Sequence, residues 1–411
     1  MSTTNSDRYF EIVSAWSCAG VGTCLVIEHY DAKIRLALDL GCTPNFADAI
    51  PASHVIISHS HLDHIGAVFN HARAHRLACG GSIATYYVPA ASVPKLKQAQ
   101  LAMSCLDNHH EMTLDDGSSE SLIQMNIVGI EPGDEVELKF GRKNGGCRDR
   151  LFLRAFAVDH RDHPALGYVI SRTTTTCSGR SQLKEEYRGL SGREIGELVR
   201  SGVEVKIPVT ETTSSHVEVA YTGDTCASGL LFKEDTALRK GRDSSVGNNE
   251  FEKSASYLQQ AFTEAPILFM EVTFLDYACE KQRGLATSRG HVHISEVIPI
   301  LQSRGWFSDY DDKRLVVLVH LSLRHGPASN ALGMIVDGLR KSVELSPLGN
   351  TSDDSQSMFE IVLSHFAVAI QAHLPHGRID KKSPHIRHLM KANGCISLKT
   401  YVEEFNKADE T

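Results

Sequence analysis

One segment of the sequence, HVIISHSHLDHIGAV at residues 54–68, most constrains what this chain can fold into. It places four potential metal ligands, His59, His61, Asp63 and His64, within six residues. The β-branched residues before them predict a buried strand, so these ligands begin where the strand ends. Imidazole and carboxylate groups suit zinc and similar divalent metals. A histidine-rich surface loop is the alternative, but the density of ligands after an apolar strand favours a site for one or two metal ions.

Short apolar runs of about strand length recur along the chain, among them TCLVIEHY, IRLALDLGC, LFLRAFAV, ILFMEV and LVVLVHLS. Helical stretches separate them, including AVFNHARAHRL and the regions near residues 194–200, 257–262 and 295–303. Many strands that alternate with helices predict a layered α/β fold.

Three segments look like additions to this core. Residues 173–213 contain four consecutive threonines and then LKEEYRGLSGREIGELVRSGVEV, which predicts a protruding helical arm. Residues 240–253 are polar and predict a loop, and residues 350–357 predict a linker or loop.

Length and charge exclude several classes of protein. The chain has 411 residues, enough for one large domain or two medium ones, so it is not a small disulfide scaffold. Its net charge of −8 excludes a globally basic nucleic-acid-binding protein, so any nucleic-acid surface must be a local patch.

The ten cysteines are scattered without a C-x-x-C pair, which is typical of free thiols in a reducing compartment. The polar start MSTTNSDRYFE predicts neither a secretory signal nor a transit peptide, and no apolar run predicts a membrane span. The predicted address is cytoplasmic or nuclear.

The H-x-H-x-D-H run resembles the signature of the metallo-β-lactamase superfamily, whose members hold two metal ions at the edge of an αββα sandwich. The resemblance implies further ligands at later strand ends, namely His160, Asp224 and His320. His163 competes with His160, but the spacing to Gly167 matches the family better from His160. The Gly-Asp pair that contains Asp224 is also a common turn sequence, which is the alternative at that position.

The same resemblance implies how the ligands are shared. One metal would be held by His59, His61, His160 and Asp224, and the other by Asp63, His64, Asp224 and His320. A water between the two ions would become a hydroxide nucleophile near neutral pH. The resemblance implies two Zn²⁺ ions per subunit, although other divalent metals are used on this fold.

Several strings beyond the ligands, among them LKEEYRGLSGREIGELVRSGVEV, VAYTGDT, MEVTFLD, RGHVHISEV and VHLSLRH, resemble ribonuclease Z in its short, plant-type form. This resemblance implies an endoribonuclease that removes the 3′ trailer of precursor tRNA by hydroxide attack on the phosphodiester after the discriminator nucleotide. His291 matches the family's histidine that protonates the leaving oxygen, and Asp63 matches the general base. His293 could replace His291, and Glu271 could orient the acid or be a carboxylate at the edge of the core.

In ribonuclease Z proteins, an exosite arm that grips tRNA is inserted where residues 173–213 stand. The resemblance therefore implies that Arg188, Arg193 and Arg200 bind substrate, that precursor tRNA is the partner, and that the protein is a homodimer. Short-form relatives occur in several compartments, including organelles. The implied catalytic domain spans residues 1–330, and residues 331–411 form a C-terminal extension packed on the core.

The chain departs from the family at one motif, because His325 stands where H-x-S-x-R-Y has tyrosine. A metallo-β-lactamase-fold hydrolase of small phosphodiesters or thioesters is the alternative enzyme. A non-catalytic RNA-binding protein is the alternative outside enzymes. Every ligand position that the resemblance implies is still occupied by a histidine or an aspartate, which disfavours this alternative.

Overall fold

The computed structural model describes residues 9–30, 33–108, 121–139, 147–178, 183–205, 210–231, 248–276, 280–307, 314–325, 328–345, 352–369 and 393–409. Within these ranges the strands form two sheets.

Sheet 1 contains six strands in the order of the sequence, β1–β2–β3–β4–β5–β6. The strands are β1 (Phe10–Cys18), β2 (Gly22–His29), β3 (Ile34–Leu38), β4 (His54–Ile56), β5 (Thr85–Pro89) and β6 (Asn126–Ile130). The first three pair antiparallel, and β3 to β6 pair parallel.

Sheet 2 contains eight strands, again in the order of the sequence from β7 to β14. They are β7 (Glu135–Leu138), β8 (Cys147–Ala157), β9 (Leu166–Ser178), β10 (Thr210–Tyr221), β11 (Ile267–Glu271), β12 (Leu315–Val319), β13 (Phe366–Ala369) and β14 (Cys395–Ser397). Strands β10 to β13 are parallel, and the other neighbours are antiparallel.

The described α-helices lie between these strands in the sequence, except the last one, which follows β14. They are α1 (Phe46–Ala49), α2 (Leu62–Ile65), α3 (Val68–Ala78), α4 (Val93–Asn108), α5 (Gly192–Arg200), α6 (Ala227–Leu230), α7 (Asn248–Thr263), α8 (Glu280–Ser288), α9 (Ile294–Ser303), α10 (Ala328–Glu344), α11 (Ser352–His365) and α12 (Leu398–Asp409). No described helix is both long enough and apolar enough to span a membrane.

Three buried clusters show how the layers pack. The central one joins side chains of both sheets, such as Leu38 and Phe269. A second packs the other face of sheet 1 against α3 and its neighbours, and a third packs sheet 2 against α7, α9 and α10. Four layers in the order helix, sheet, sheet, helix confirm the predicted αββα sandwich.

The parallel strands β12 and β13 are wholly apolar, and β11 is apolar up to Glu271 at its end, because both faces of these strands are buried. In β11, Leu268 and Met270 face the helices, whereas Ile267 and Phe269 face sheet 1. In these central strands the polar residue lies at the strand end, and the candidate site lies at that edge of the sheet.

Two of the predicted loops are wrong in part. Residues 240–247 lie outside the described residues, but helix α7 begins at Asn248, and its residues 249–253 are exposed. Residues 352–357 similarly form the first turns of α11. An exposed helical turn needs no apolar residue, so its sequence is indistinguishable from a loop.

The arm is helical only near its tip. Strands β9 and β10 continue as a paired ribbon as far as Ser178 and Thr210, and the threonine run at 173–176 belongs to β9. Helix α5 follows a capping box of Ser191 and Glu194. The β-branched threonines suit a strand, which explains the difference from the predicted helical arm.

The residues after 330 belong to the same core as those before. Helix α10 packs on α9, and β13 and β14 complete sheet 2. The segment before β14 also reaches sheet 1, since the Ala15 N–H donates to the Asn393 carbonyl at 2.7 Å. The predicted boundary at residue 330 therefore lies inside one continuous sandwich.

Candidate metal centre and active site

The seven predicted ligands converge at one edge of the sandwich, and five elements deliver them. His59 and His61 follow β4, and Asp63 and His64 lie in α2. The other three, His160, Asp224 and His320, follow β8, β10 and β12. Each ligand thus stands just beyond an apolar strand or in the short helix that follows one.

Three imidazoles form the first ligand group. His59 Nε2 lies 3.0 Å from His61 Nδ1, which lies 3.3 Å from His160 Nε2. His59 and His160 are buried, and His61 is partly exposed. These nitrogens are close enough to share one ion.

The second group contains one carboxylate and two imidazoles. His64 Nε2 lies 3.3 Å from His320 Nε2, which lies 3.4 Å from Asp63 Oδ2. Asp63 also accepts a hydrogen bond of 2.7 Å from the Gly20 N–H, which fixes its carboxylate.

Asp224 lies between the two groups. Its Oδ2 atom is 3.8 Å from His59 Nε2, 3.3 Å from His64 Nε2 and 3.2 Å from His320 Nε2. One buried carboxylate oxygen therefore faces ligands of both groups, which is the position that a bridging ligand requires.

The outer ring nitrogens of these histidines are already engaged. His160 Nδ1 donates to the Gly290 carbonyl at 2.9 Å, so its Nε2 atom carries a free lone pair. His64 Nδ1 lies 2.6 Å from Asp39 Oδ2, and His320 Nδ1 lies 2.9 Å from Thr273 Oγ1. Such outer partners fix the tautomer of a metal-ligating histidine, so this donor set fits divalent metal ions.

A second pair of side chains borders the second ligand group. His291 Nδ1 lies 3.1 Å from Glu271 Oε1, and the His291 ring stacks on that of His320 with centroids 5.1 Å apart. The other oxygen of Glu271 accepts from the Val292 N–H at 2.7 Å. His291 is partly exposed and Glu271 is fully buried, so the carboxylate holds an imidazole that solvent can reach.

The sequence matches no protein-family model. It is 32% identical over 198 residues to the nuclear ribonuclease Z of Triticum aestivum, an alignment that covers 48% of this chain and 93% of the relative. The chain belongs to the ribonuclease Z family. Two Arabidopsis thaliana relatives agree: tRNase Z TRZ1 is 29% identical over 76% of this chain and 86% of its own length, and the chloroplastic tRNase Z TRZ2 is 27% identical over 75% and 67%.

Solved structures resemble the chain more distantly. The short form of human tRNase Z aligns with 11% identity and a TM-score of 0.38, over 77% of this chain and 93% of its own length. The metallo-β-lactamase-fold protein YhfI of Bacillus subtilis aligns with 14% identity and a TM-score of 0.41 over 82% and 90%. At these scores the fold assignment rests on the observed layers and on membership of the ribonuclease Z family.

Asp39 is a part of this ribonuclease Z site that sequence reasoning missed. Its Oδ1 atom accepts from the Ser58 N–H at 2.6 Å, and its Oδ2 atom accepts from the Ser58 and Tyr221 hydroxyls at 2.7 and 2.5 Å, besides its contact with His64. The residue is fully buried with a φ of 56°. A carboxylate directly after the apolar strand β3 is the signal that could have found it.

The structure separates the alternatives that the sequence left open. His163 is exposed and lies beside His61, with ring centroids 4.1 Å apart, whereas the buried His160 faces the other ligands. His293 is buried and caps α9 through Ser295, and its Nε2 atom lies 2.9 Å from the Asp276 carbonyl. Of these competing histidines, His160 and His291 are the ones that lie within the described groups of potential ligand atoms.

Burial and neighbouring charges set the protonation of the site. Burial lowers the pKa of His59 well below its usual range and that of His61 to about 4, so both are neutral at pH 7 and able to ligate a metal. Burial alone would raise the pKa of Asp224, but His320 and His64 outweigh it and hold that pKa well below its usual range. Burial, followed by the charge of Asp224, raises the pKa of Glu271 well above its usual range.

The three predicted RNA-binding arginines lie on the arm and not at the metal centre. Arg188 pairs with Glu185 at 3.1 Å, Arg193 pairs with Glu197 at 3.5 Å, and Arg200 donates to the Gly196 carbonyl. All three are exposed, so these local contacts leave them accessible to a ligand.

Proposed function

We propose that this chain is a metal-dependent endoribonuclease that removes the 3′ trailer of precursor tRNA by cleaving the phosphodiester bond after the discriminator nucleotide. The observation that carries the proposal is the pair His291 and Glu271 beside a seven-ligand cluster, in a chain of the ribonuclease Z family. A nuclease needs a site for the phosphate and an acid for the departing oxygen, and these two features lie side by side.

We assign two Zn²⁺ ions per subunit to the two ligand groups, with Asp224 shared between them. The donor set of imidazole nitrogens and carboxylate oxygens supports zinc. When bound, such ions acidify water and neutralise the charge on phosphate oxygens.

The protein's own residues would then divide the remaining work. His291 would protonate the 3′ oxygen of the discriminator nucleotide as its bond to phosphorus breaks, so that this oxygen stays on the tRNA as a hydroxyl. Glu271 accepts the hydrogen bond from His291 Nδ1 and so directs the other ring nitrogen towards the substrate. Asp63, fixed by Gly20, serves as ligand and as general base. Burial alone would raise the pKa of Asp63, but the hydrogen bond from His320 and the charge of His64 hold it below its usual range, so it is ionised at neutral pH.

The arm would hold the body of the tRNA while the metal centre acts on its 3′ end. Arg188, Arg193 and Arg200 are its proposed phosphate contacts, since they are exposed guanidinium groups. We further propose a homodimer with a cytoplasmic or nuclear address; the relative from Triticum aestivum is named as a nuclear enzyme.

The deciding experiment incubates the purified protein with a labelled precursor tRNA that carries a short 3′ trailer. We expect one cut after the discriminator nucleotide, with a 3′ hydroxyl on the tRNA. The cut should disappear with a chelator, return with added zinc, and be lost in His64→Ala because that imidazole faces both Asp63 and Asp224.

His216→Ala is the matched control, because His216 is exposed on β10. Cleavage that survives both the chelator and His64→Ala would contradict the proposal. A protein that hydrolyses bis(p-nitrophenyl) phosphate but leaves precursor tRNA intact would instead be a hydrolase of small phosphodiesters.

A further inference from the structure

Two loops of the metal centre touch each other directly. His160 Nδ1 donates to the Gly290 carbonyl at 2.9 Å, and Gly290 has a φ of +76°. A Cβ atom at position 290 would lie 2.7 Å from His160 Nδ1, so only glycine permits this approach. Arg161 and Arg289, the sequence neighbours of these residues, therefore lie on adjacent backbone.

Both arginines present free guanidinium groups. Each is exposed, and neither side chain has a hydrogen bond or an ion pair with any residue that the structure describes. Arg324, at the same edge of the site, differs because it pairs with Asp276 and lies 4.2 Å from the centre of the Phe274 ring. Two unpaired cations on touching loops are both stabilised by an anion that binds between them.

The carboxylates near Arg161 do not neutralise it. Asp159 Oδ1 accepts from the backbone N–H of Arg161 at 3.1 Å, and its Oδ2 accepts from Ser228 Oγ at 3.3 Å. Asp162 is exposed and forms no ion pair within the described residues. The guanidinium group of Arg161 is thus left for a ligand.

The backbone of Arg161 is also unusual. Its φ of 57° is left-handed, a conformation that costs a non-glycine residue about 1–3 kcal/mol. Glycine or asparagine would adopt it more easily. A long cationic side chain held in this conformation points to a use for that side chain.

The position of the pair indicates which part of a substrate it meets. Arg289 precedes His291 by two residues, and the rings of His160 and His291 lie 5.3 Å apart. Burial lowers the pKa of His291, and the positive charge of Arg289 adds to this lowering, so the two side chains share one side of the site. The nucleotide whose 3′ oxygen His291 protonates must lie on that side.

We propose that Arg161 and Arg289 together bind the phosphate on the 5′ side of the cleaved linkage, the one that precedes the discriminator nucleotide. This inference rests on the proposed function. Each planar guanidinium can donate two hydrogen bonds to the same phosphate, which a pair of lysines could not do. The contact exists before and during the reaction, so it strengthens substrate binding more than it accelerates the chemical step.

The test compares Arg161→Asn, Arg289→Gln and the double variant with the wild type on precursor tRNA. Asparagine tolerates the left-handed backbone, so the fold at residue 161 should survive. We expect each single substitution to raise KM about tenfold, as loss of a charged hydrogen bond does. Arg283→Gln is the control, because Arg283 is exposed on α8 and lies outside the touching loops. Zinc content and melting temperature verify that each variant is folded and loaded.

A cycle that combines the enzyme variants with modified substrates identifies which phosphate the two arginines bind. Two modified substrates are needed. In one, a neutral methylphosphonate replaces the linkage on the 5′ side of the cleaved bond, and in the other it replaces the linkage on the 3′ side. In the wild type the 5′ replacement should raise KM by a factor similar to that of the double variant, and in the double variant it should cause little further loss.

The outcomes separate the two claims. Independent, additive losses from the double variant and the 5′ methylphosphonate would overturn the assigned contact, as would a coupling seen only with the 3′ replacement. A wild type that fails to cut the unmodified precursor tRNA would overturn the proposed function itself.

Discussion

His291 and His293 stand two residues apart and do different things because a helix begins directly after His293. His293 is the N-cap of α9, so its ring turns towards Ser295 and the start of that helix. His291 precedes the cap in extended backbone and faces Glu271. Sequence spacing alone could not separate these roles, since both histidines flank the same valine.

We predict that His291→Ala lowers kcat on precursor tRNA by about 100- to 10,000-fold, the usual contribution of a general acid. Hydrolysis of bis(p-nitrophenyl) phosphate should fall far less, because p-nitrophenolate leaves without protonation. Steady-state kinetics on both substrates, at equal zinc content, would check this. Equal losses on the two substrates would contradict the role of His291 as the acid.

His293→Gln is the comparison within the same loop. It should keep most of the activity and lower the free energy of unfolding by about 1 kcal/mol, because it weakens a helix cap.

Asp39 holds the metal centre without contacting a metal position. All of its partners donate to it, so an amide at this position would turn an NH₂ group towards the donors at Oδ2. We predict that Asp39→Asn weakens zinc affinity about 10- to 100-fold, the usual effect of removing an outer partner of a ligating histidine. Competition with a chromogenic chelator measures this affinity.

Asp107→Asn is the control for that substitution, because Asp107 pairs with Arg73 at the surface. Unchanged zinc affinity in Asp39→Asn would show that His64 can bind zinc without the carboxylate of Asp39 as its hydrogen-bond partner.

At the scale of elements, α3 is fixed to α1 by two buried histidines one turn apart. His71 Nε2 donates to the Ala49 carbonyl at 2.9 Å, and its Nδ1 accepts from the Tyr86 hydroxyl at 2.7 Å. His75 Nδ1 lies 2.7 Å from the Ile50 carbonyl, and the two rings stack 5.6 Å apart. These histidines are part of the fold and not of a second metal site.

This packing predicts a pH dependence of stability. Burial lowers the pKa of His71 from 6.5 to about 4, so the unfolded chain binds a proton at His71 more readily than the folded one. Stability therefore falls as the pH drops from about 6.5 towards about 4, and His71 should account for about 2 kcal/mol of the loss between pH 7 and pH 5.

The measurement is the urea midpoint of wild type and His71→Gln at both pH values, with exposed His216→Gln as the control. His71→Gln should lose about 2 kcal/mol less than the wild type over this interval. Parallel losses would mean that other groups, such as the ligating histidines, carry the whole effect.

The elements also show which parts of the site could be predicted from the sequence. The histidine run after the apolar strand β4 predicted the first four ligands, whereas His160, Asp224 and His320 were predicted only through the resemblance to a family that places its ligands at later strand ends. The partners of Asp39 were not predictable, because Ser58, His64 and Tyr221 reach it from different parts of the chain only after folding. The first turns of α7 were misjudged because every residue from 249 to 253 is exposed.

At the scale of the whole molecule, the arm extends from sheet 2, the sheet whose strands also deliver His160, Asp224 and His320 to the metal centre. Strands β9 and β10 run from the core into the arm, and Ser178 pairs with Thr210 where the described ribbon ends. The arm can therefore be removed by joining these two residues through Asn-Gly, a turn that suits antiparallel strands.

We predict that this deletion of residues 179–209 lowers kcat/KM on precursor tRNA by at least about tenfold, because phosphate contacts supply much of the affinity for RNA. Hydrolysis of bis(p-nitrophenyl) phosphate by the same sample should persist, since the metal centre stays intact. Kinetics on both substrates provide the check. Full activity of the deletion variant on precursor tRNA would show that the arm does not contribute to substrate binding.

The link between Ala15 and Asn393 bears on how the protein is made. Synthesis passes His320, the last predicted ligand, before it reaches β13 and β14. A chain still on the ribosome at that point contains all seven predicted ligands but lacks the two strands that complete sheet 2. Without β13, one edge of the apolar strand β12 has no partner and can pair with other chains. We expect zinc to be taken up only after translation has passed β14, and a chain stopped between β12 and β13 to aggregate with all seven ligands present.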